Sequence, residues 1–153
     1  MKEKTTNKKR LIILLCVFAA AVAGLLVYIF YDPTPKMKKP FENLSKEQIS
    51  KVVMCSNFGQ PKAELDDKQT DEFIALIREI ETGEVTTDTN LDGFSTKTMT
   101  VVYTDGTQQD IATCGDLFTI DGVTYKSVYS ECHALNELRG RILKEKYPEE
   151  YKY

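Results

Sequence analysis

The sequence predicts an N-terminal transmembrane helix followed by a small α+β domain, and three observations lead to this fold class. Residues 11–31 form an uncharged run. Asp-Gly dipeptides at 105–106 and 121–122 each separate short segments rich in β-branched and aromatic residues, which is typical of antiparallel hairpins. Two other segments repeat apolar residues at helical spacing. We therefore expect an antiparallel sheet of about five strands, in the order ββαβββα, with the two helices covering one face.

The uncharged run from Leu11 to Tyr31 has the length of a transmembrane helix. At about 1.5 Å per residue it covers roughly 31 Å, the thickness of the hydrocarbon core of a bilayer. Five basic residues precede the run, and three follow it at positions 36, 38 and 39. This difference favours a cytoplasmic N-terminus, so we expect a single-pass signal anchor in the cell membrane with the C-terminal domain outside.

A cleavable signal peptide is the alternative to an anchor. Ala21, Val22 and Ala23 precede Gly24 in the A-x-A pattern of a cleavage site, and cleavage near Ala23 would release a secreted domain. The apolar run continues to Tyr31, however, and exceeds the roughly 7–15 residues of a signal-peptide core. We therefore expect the segment to remain in the chain.

Composition divides the chain into five predicted parts. These are a basic cytoplasmic tail (1–10), the transmembrane helix (11–31), a linker rich in proline and lysine (32–40), an extracytoplasmic α+β domain (41–147) and a frayed tail (148–153). Residues 1–40 carry eight basic and two acidic residues, whereas residues 41–153 carry twelve and twenty-one, a net charge of −9. Nucleic acid is excluded as a partner because phosphate binding requires clustered basic residues.

The helices and strands of the domain are predicted from local patterns of capping, apolar and turn residues. Asp66 or Asp67 is suited to cap a helix that ends near Glu81, and Ser130 begins a last helix that ends before Pro148. Residues 84–96 are polar and predict a loop. Extended segments are expected at 49–58, 62–65, 97–103, 108–113, 118–120 and 123–125.

The segments TVVYTDGT at residues 100–107 and FTIDGVTYK at residues 118–126, followed by a terminal helix, resemble small extracytoplasmic domains of Gram-positive bacteria. Those domains are commonly anchored to the membrane and lack an assigned function. The resemblance covers residues 41–145 and implies the same topology and an extracytoplasmic location. It implies no catalytic residues.

The positions of the cysteines in the sequence indicate that these residues have a structural role. Cys114 precedes the second hairpin and Cys132 follows its closing strand, so a disulfide between them is our first choice. It would close a loop of about 18 residues and stabilise the fold by about 3 kcal/mol. The alternative is that Cys55, Cys114 and Cys132 remain free, partly buried thiols.

Asp88, Asn90 and Asp92 match the first half of an EF-hand calcium loop, with Gly93 at its sixth position. The twelfth position, where a bidentate Glu belongs, is Met99. These three residues are therefore weak calcium candidates, and we otherwise expect no metal and no cofactor.

No cluster of residues in the sequence indicates a catalytic site. His133 is the only histidine, and its neighbour Cys132 points about 100° away from it on a helix, which argues against a Cys–His pair. We therefore expect a non-catalytic binding module of the cell envelope, whose partner is another envelope protein or a small ligand. The alternative is an envelope enzyme that uses an unrecognised carboxylate or cysteine site.

Overall fold

The computed structural model describes residues 16–26, 36–56, 60–87 and 98–150. The chain divides into two units, Met1–Thr34 and Pro35–Tyr153. In the first unit, residues 16–26 form a helix, α1. Within the described residues, no helix is both long and apolar enough to cross a membrane. Residues 11–15 and 27–31 of the predicted span lie outside the described residues, so the transmembrane helix stays a prediction.

The second unit is an α+β domain. Its helices are a short 3-10 turn at Lys46–Gln48, α2 at Asp67–Glu79 and α3 at Tyr129–Lys146. Its strands are β1 (Ile49–Cys55), β2 (Lys62–Glu64), β3 (Thr82–Val85), β4 (Met99–Tyr103), β5 (Gln108–Cys114), β6 (Leu117–Ile120) and β7 (Val123–Ser127).

Every strand pair in the sheet is antiparallel, and the strand order is β2-β1-β4-β5-β6-β7-β3. The antiparallel α+β fold is thus confirmed. The expected count of about five strands is too low, since the described residues hold seven. The two hairpins contribute four strands, and Thr82–Val85 adds an edge strand that pairs with β7.

Both predicted hairpin turns are present because their residues tolerate a left-handed backbone. Gly106 has φ +87° in the turn between β4 and β5. Asp121 and Gly122 have φ of 48° and 83° between β6 and β7, the combination that a type I′ turn requires. Asp105 also accepts hydrogen bonds from the backbone N–H and the hydroxyl of Thr107, at 2.9 and 2.6 Å.

Alternation along the strands gives the sheet a covered face and an open face. Val52, Met54, Met99, Val101 and Ile111 are fully buried and share one hydrophobic cluster with buried side chains of both α2 and α3. Burying such a side chain contributes about 1.5–3 kcal/mol. The intervening positions of β1, β4 and β5 point to the opposite, open face.

The start of α2 follows the sequence prediction. Asp66 is its N-cap, accepting a hydrogen bond from Gln69 N at 2.8 Å, and Gln69 Oε1 accepts one from Asp66 N at 3.1 Å. This capping box satisfies two backbone donors that a helix N-terminus otherwise leaves unpaired.

The folded unit begins before residue 41. Lys38 pairs with Thr82 through two backbone hydrogen bonds of 2.8 and 2.7 Å, which extends the sheet beyond β3. Met37 packs so closely on Gly83 that a Cβ there would lie 2.9 Å from Met37 Sδ. The last residues of the predicted linker are therefore part of the domain, and the small size of Gly83 allows them to approach.

Candidate functional site

The three calcium candidates, Asp88, Asn90 and Asp92, lie outside the described residues. Among the residues that the structure does describe, no group of three or more His, Cys, Asp or Glu side chains is arranged to hold a metal ion. Calcium binding at residues 88–93 stays a prediction.

The two disulfide candidates lie near the same turn. Cys132 is fully buried in the first part of α3, and its thiol contacts the carbonyl of Leu117 at 3.8 Å. Leu117 is the cross-strand partner of Cys114. Both cysteines are free thiols in the structure, so the predicted bond between them is not formed there, and it stays a prediction that oxidation tests.

Cys132 is poorly suited to act as a nucleophile. Burial, the largest effect, raises the pKa of its thiol, and the nearby Glu131 and Asp116 act in the same direction. A reactive cysteine needs the opposite, a thiolate stabilised by its surroundings. His133 instead stacks on the exposed Tyr129, with ring centroids 5.6 Å apart, and approaches Glu137 at 3.4 Å.

The first candidate surface lies on the open face of the sheet, and we call it the open-face patch. It is a shallow depression of about 270 Å³ lined by Lys51, Val53, Cys55, Lys62, Thr100, Val102 and Gln108. Pairing of β1 with β4 places Val53 opposite Thr100 and Lys51 opposite Val102. Pairing of β4 with β5 adds Gln108 beside Val102. The patch therefore has an apolar centre and a polar rim.

The rim of the open-face patch carries positive charge within an acidic domain. Lys51 and Lys62 are both exposed. Lys51 Nζ lies 3.9 Å from Glu64 Oε2, a long and exposed contact that leaves most of its charge to solvent. Lys62 Nζ has no acidic partner among the described residues. Two lysines beside partly buried valines attract negative charge more strongly than the net charge of −9 for residues 41–153 implies.

The outer edge of β2, the strand that carries Lys62, is partly occupied by side chains from the end of α3. Leu65 N donates to Val52 O at 3.0 Å, so the carbonyls of Lys62 and Glu64 point to the outer edge. These two carbonyls accept hydrogen bonds from Tyr147 Oη and Lys146 Nζ at the end of α3. A further strand could therefore not pair with β2 without displacing these two side chains.

The second candidate surface is a polar cleft where the 3-10 turn meets the ends of β4 and β5, and we call it the amide cleft. It has a volume of about 280 Å³ and is lined by Pro40, Phe41, Asn43, Leu44, Gln48, Tyr103 and Gln109. Tyr103 Oη donates to Gln109 Oε1 at 2.7 Å, and Gln48 Oε1 accepts from Ser45 N at 2.7 Å. None of its lining side chains carries a charge.

The groove between α2 and α3 is larger, about 400 Å³, but it is already crossed by an ion pair. Arg141 donates to Glu72 Oε1 at 2.6 Å, which joins the two helices across the groove. With Leu76 and Leu138 beneath, this groove belongs to the packing of the helices, and we assign it no binding role.

Neither a protein-family model nor a curated protein nor a solved structure matches the chain. The resemblance to extracytoplasmic domains of Gram-positive bacteria accordingly stays a prediction.

Sequence reasoning identified neither surface. The open-face patch joins Val53 to Val102, and the amide cleft joins Asn43 to Gln109, so both depend on strand pairs distant in sequence. The available signal is the alternation in β4, which places Met99, Val101 and Tyr103 on one face. This leaves Thr100 and Val102 on the other, and their neighbours follow only from the strand order.

Proposed function

We propose that the protein is a membrane-anchored module of the bacterial cell envelope that binds an acidic segment of another envelope protein without catalysing a reaction. The observation that carries this proposal is the open-face patch, where two exposed lysines flank partly buried valines, while residues 41–153 carry a net charge of −9. Complementary charge increases the rate and the specificity of association, and the apolar centre supplies contact area.

The spacing of the lysines defines the partner segment. Lys62 lies opposite Cys55, four residues beyond Lys51 on β1, so the two lysines are about 13 Å apart along the strand direction. An extended segment with acidic residues four apart places both carboxylates near the lysines. Its middle residue then lies over Val53 and Val102. The best partner sequence thus has the form Glu-x-Val-x-Glu.

A peptide-binding measurement tests this chemistry. The full-length chain in zwitterionic micelles is titrated into labelled Glu-Thr-Val-Thr-Glu or Lys-Thr-Val-Thr-Lys, and fluorescence anisotropy reports binding. We expect the acidic peptide to bind and the basic one not to bind. Binding should weaken as salt is added, because these charges are exposed.

A pair of double variants separates the patch from the overall charge. Lys51→Glu with Lys62→Glu should weaken binding of the acidic peptide by at least about tenfold. Lys68→Glu with Lys144→Glu changes the net charge equally at exposed positions on α2 and α3 and should leave binding nearly unchanged. Equal loss in both variants, or equal binding of both peptides, contradicts the proposal.

The membrane anchor is part of the same proposal and is supported by the uncharged run at 11–31 and by the excess of basic residues before it. Membranes that contain the full chain are extracted with alkaline carbonate, and the mass of the recovered protein is measured. We expect the chain in the membrane pellet at its full mass of 17.4 kDa. Release into the supernatant at a mass lacking the first 23 residues contradicts the anchor and supports cleavage after Ala23.

External location is tested separately with intact cells. Protease added outside should digest residues 41–153 and leave a cytoplasmic control protein intact. Protection until the cells are opened would place the domain on the inner side of the membrane.

A further inference from the structure

The amide cleft differs in chemistry from the open-face patch and has no part in the function proposed above. Its polar groups are neutral amides and a phenol, whereas the open-face patch is rimmed by lysines. The two surfaces also use opposite sides of β5. Gln109 lines the amide cleft, and its neighbour Gln108 lines the open-face patch. A ligand of the amide cleft would therefore bind separately from the protein partner proposed for the open-face patch.

The hydrogen-bonding groups of the cleft are held in place but are not all used. Gln109 Oε1 accepts from Tyr103 Oη, which leaves the amide NH₂ of Gln109 and the lone pairs of Tyr103 Oη for a ligand. Gln48 Oε1 closes the capping box with Ser45, which leaves the Gln48 NH₂. Asn43 is exposed at the rim and adds both a donor and an acceptor. Donors and acceptors thus lie side by side.

The apolar part of the cleft is rigid. Phe41 and Leu44 are almost fully buried, and Phe41 packs edge-to-face on Phe118 with ring centroids 6.1 Å apart. The carbonyl of Leu44 accepts a hydrogen bond from Arg78 Nε at 2.6 Å, which ties this segment to α2. A preorganised cleft loses little entropy when a ligand binds.

The electrostatic surroundings disfavour an anionic ligand. Burial, and then the carboxylates of Asp121 and Asp105, raises the pKa of Tyr103, so its phenol stays neutral at physiological pH. None of the lining residues is a lysine or an arginine. A phosphate or carboxylate would therefore meet nearby negative charge with no cationic side chain among the lining residues.

We propose that the amide cleft binds a single unit of a neutral carbohydrate. Sugar hydroxyls both donate and accept, which suits the amides of Gln48 and Gln109 and the oxygen of Tyr103. The C–H face of a sugar ring suits the apolar edge formed by Pro40 and Leu44. The cleft volume of about 280 Å³ lies just below the usual range of roughly 300–1,000 Å³ for small-molecule pockets, so one ring fits better than a longer chain.

NMR titration of the isotope-labelled full chain in zwitterionic micelles tests the proposal. The probes are glucose and N-acetylglucosamine, with glucose 6-phosphate as the charged comparison and triglycine as the peptide comparison. We expect saturable shifts at Gln48, Tyr103 and Gln109 with at least one neutral sugar at millimolar concentration. Glucose 6-phosphate and triglycine should produce no such shifts. Tighter binding of triglycine would assign the cleft to a peptide, and the absence of saturation with both sugars would overturn the proposal.

The two neighbouring glutamines give a matched pair of variants. Gln109→Leu should weaken sugar binding by about tenfold, and Gln108→Leu should leave it unchanged. Tyr103→Phe removes the hydrogen bond between Tyr103 and Gln109 while keeping Gln109. It replaces Gln109→Leu as the test variant if Gln109→Leu does not fold. Equal effects of Gln108→Leu and Gln109→Leu would overturn the assignment. Binding of the acidic peptide to the open-face patch is measured on the same variants, so failure of one proposal is distinguished from failure of the other.

Discussion

The two faces of the sheet are built from the same strands but differ in what covers them. On the covered face, Met99 and Val101 of β4 are fully buried beneath the helices. On the open face, Thr100 and Val102 of the same strand are only partly buried and form part of the patch with Lys51. Side-chain alternation thus places the core of the domain on one face, and we propose recognition as the role of the other. Substitutions at adjacent residues should separate the two properties.

The largest expected effect comes from fastening the covering helix to the sheet. Oxidation of the folded protein by a disulfide donor should join Cys114 to Cys132, which links the turn between β5 and β6 to α3. Closing a loop of about 18 residues predicts a gain of about 3 kcal/mol in the free energy of unfolding. Denaturant unfolding with and without a reductant measures this difference.

The Cys114→Ser variant is the control for that measurement, because it should show no difference between oxidising and reducing conditions. Mass spectrometry of the oxidised wild type then identifies the linked residues. A bond to Cys55 in place of Cys132, or no bond after oxidation, contradicts the predicted pairing.

Neighbouring valines of β4 provide the most direct comparison of the two faces. Val101→Ala removes fully buried methyl groups and leaves a cavity, so it should cost about 2–3 kcal/mol. Val102→Ala lies on the open face and should cost less than about 1 kcal/mol. Urea unfolding of both variants measures the difference, and equal costs would mean that the open face is packed as tightly as the covered one.

Losing the cap of a covering helix should have a smaller effect. Asp66→Ala removes the carboxylate that accepts from Gln69 N, which should cost about 1 kcal/mol. The expected readout is a lower thermal unfolding midpoint with unchanged binding of the acidic peptide. Asp67→Ala, one residue later, is the control and should change the midpoint less. A loss of peptide binding in Asp66→Ala would mean that the two faces are coupled.

Alkaline pH should also weaken the covered face. Burial raises the pKa of Cys132 above its ordinary value of 9.0, and burial with nearby carboxylates raises that of Tyr103 above 10.0. At lower pH both groups are protonated in the folded and the unfolded chain, and their contribution to stability is fully present. As the pH rises past these values the unfolded chain releases its protons first, so stability falls.

Unfolding measured between about pH 8 and pH 10, below the range in which lysines lose their protons, tests this slope. Cys132→Ala should be less stable than wild type at pH 8 but should lose less stability over that range. Tyr103→Phe should reduce the loss at the upper end. An unchanged slope in both variants would assign the alkaline loss to other groups.

Local features of the fold were predictable, whereas contacts between distant segments were not. The turns at Gly106 and Gly122 and the cap at Asp66 depend on a few neighbouring residues, and the structure places all three as expected. Residues 82–85 contain a glycine and two exposed side chains, so their sequence shows little of the alternation that predicts a strand. Strand β3 is defined instead by its pairing with β7 and with Lys38.

The candidate surfaces escaped prediction for the same reason. The amide cleft brings Asn43, Gln48, Tyr103 and Gln109 together from three separate segments, and no short motif encodes that arrangement. The patch on the open face depends on β1 pairing with β4, which follow each other in the sheet but not in the chain. The acidic charge of the domain was predictable from the sequence. Because the domain is acidic, the two lysines at the rim of the open-face patch stand out as a local positive charge.

Site-directed photo-cross-linking in native membranes is the most direct test of the central claim. A photoreactive residue replaces Val102 in the open-face patch or Tyr129, which is exposed on α3. We predict one discrete adduct from position 102 that contains an acidic segment, disappears in the Lys51→Glu and Lys62→Glu background and is absent from position 129. The same adducts from both positions, or an adduct from position 102 that survives charge reversal, would contradict the assignment of the open face as the binding surface.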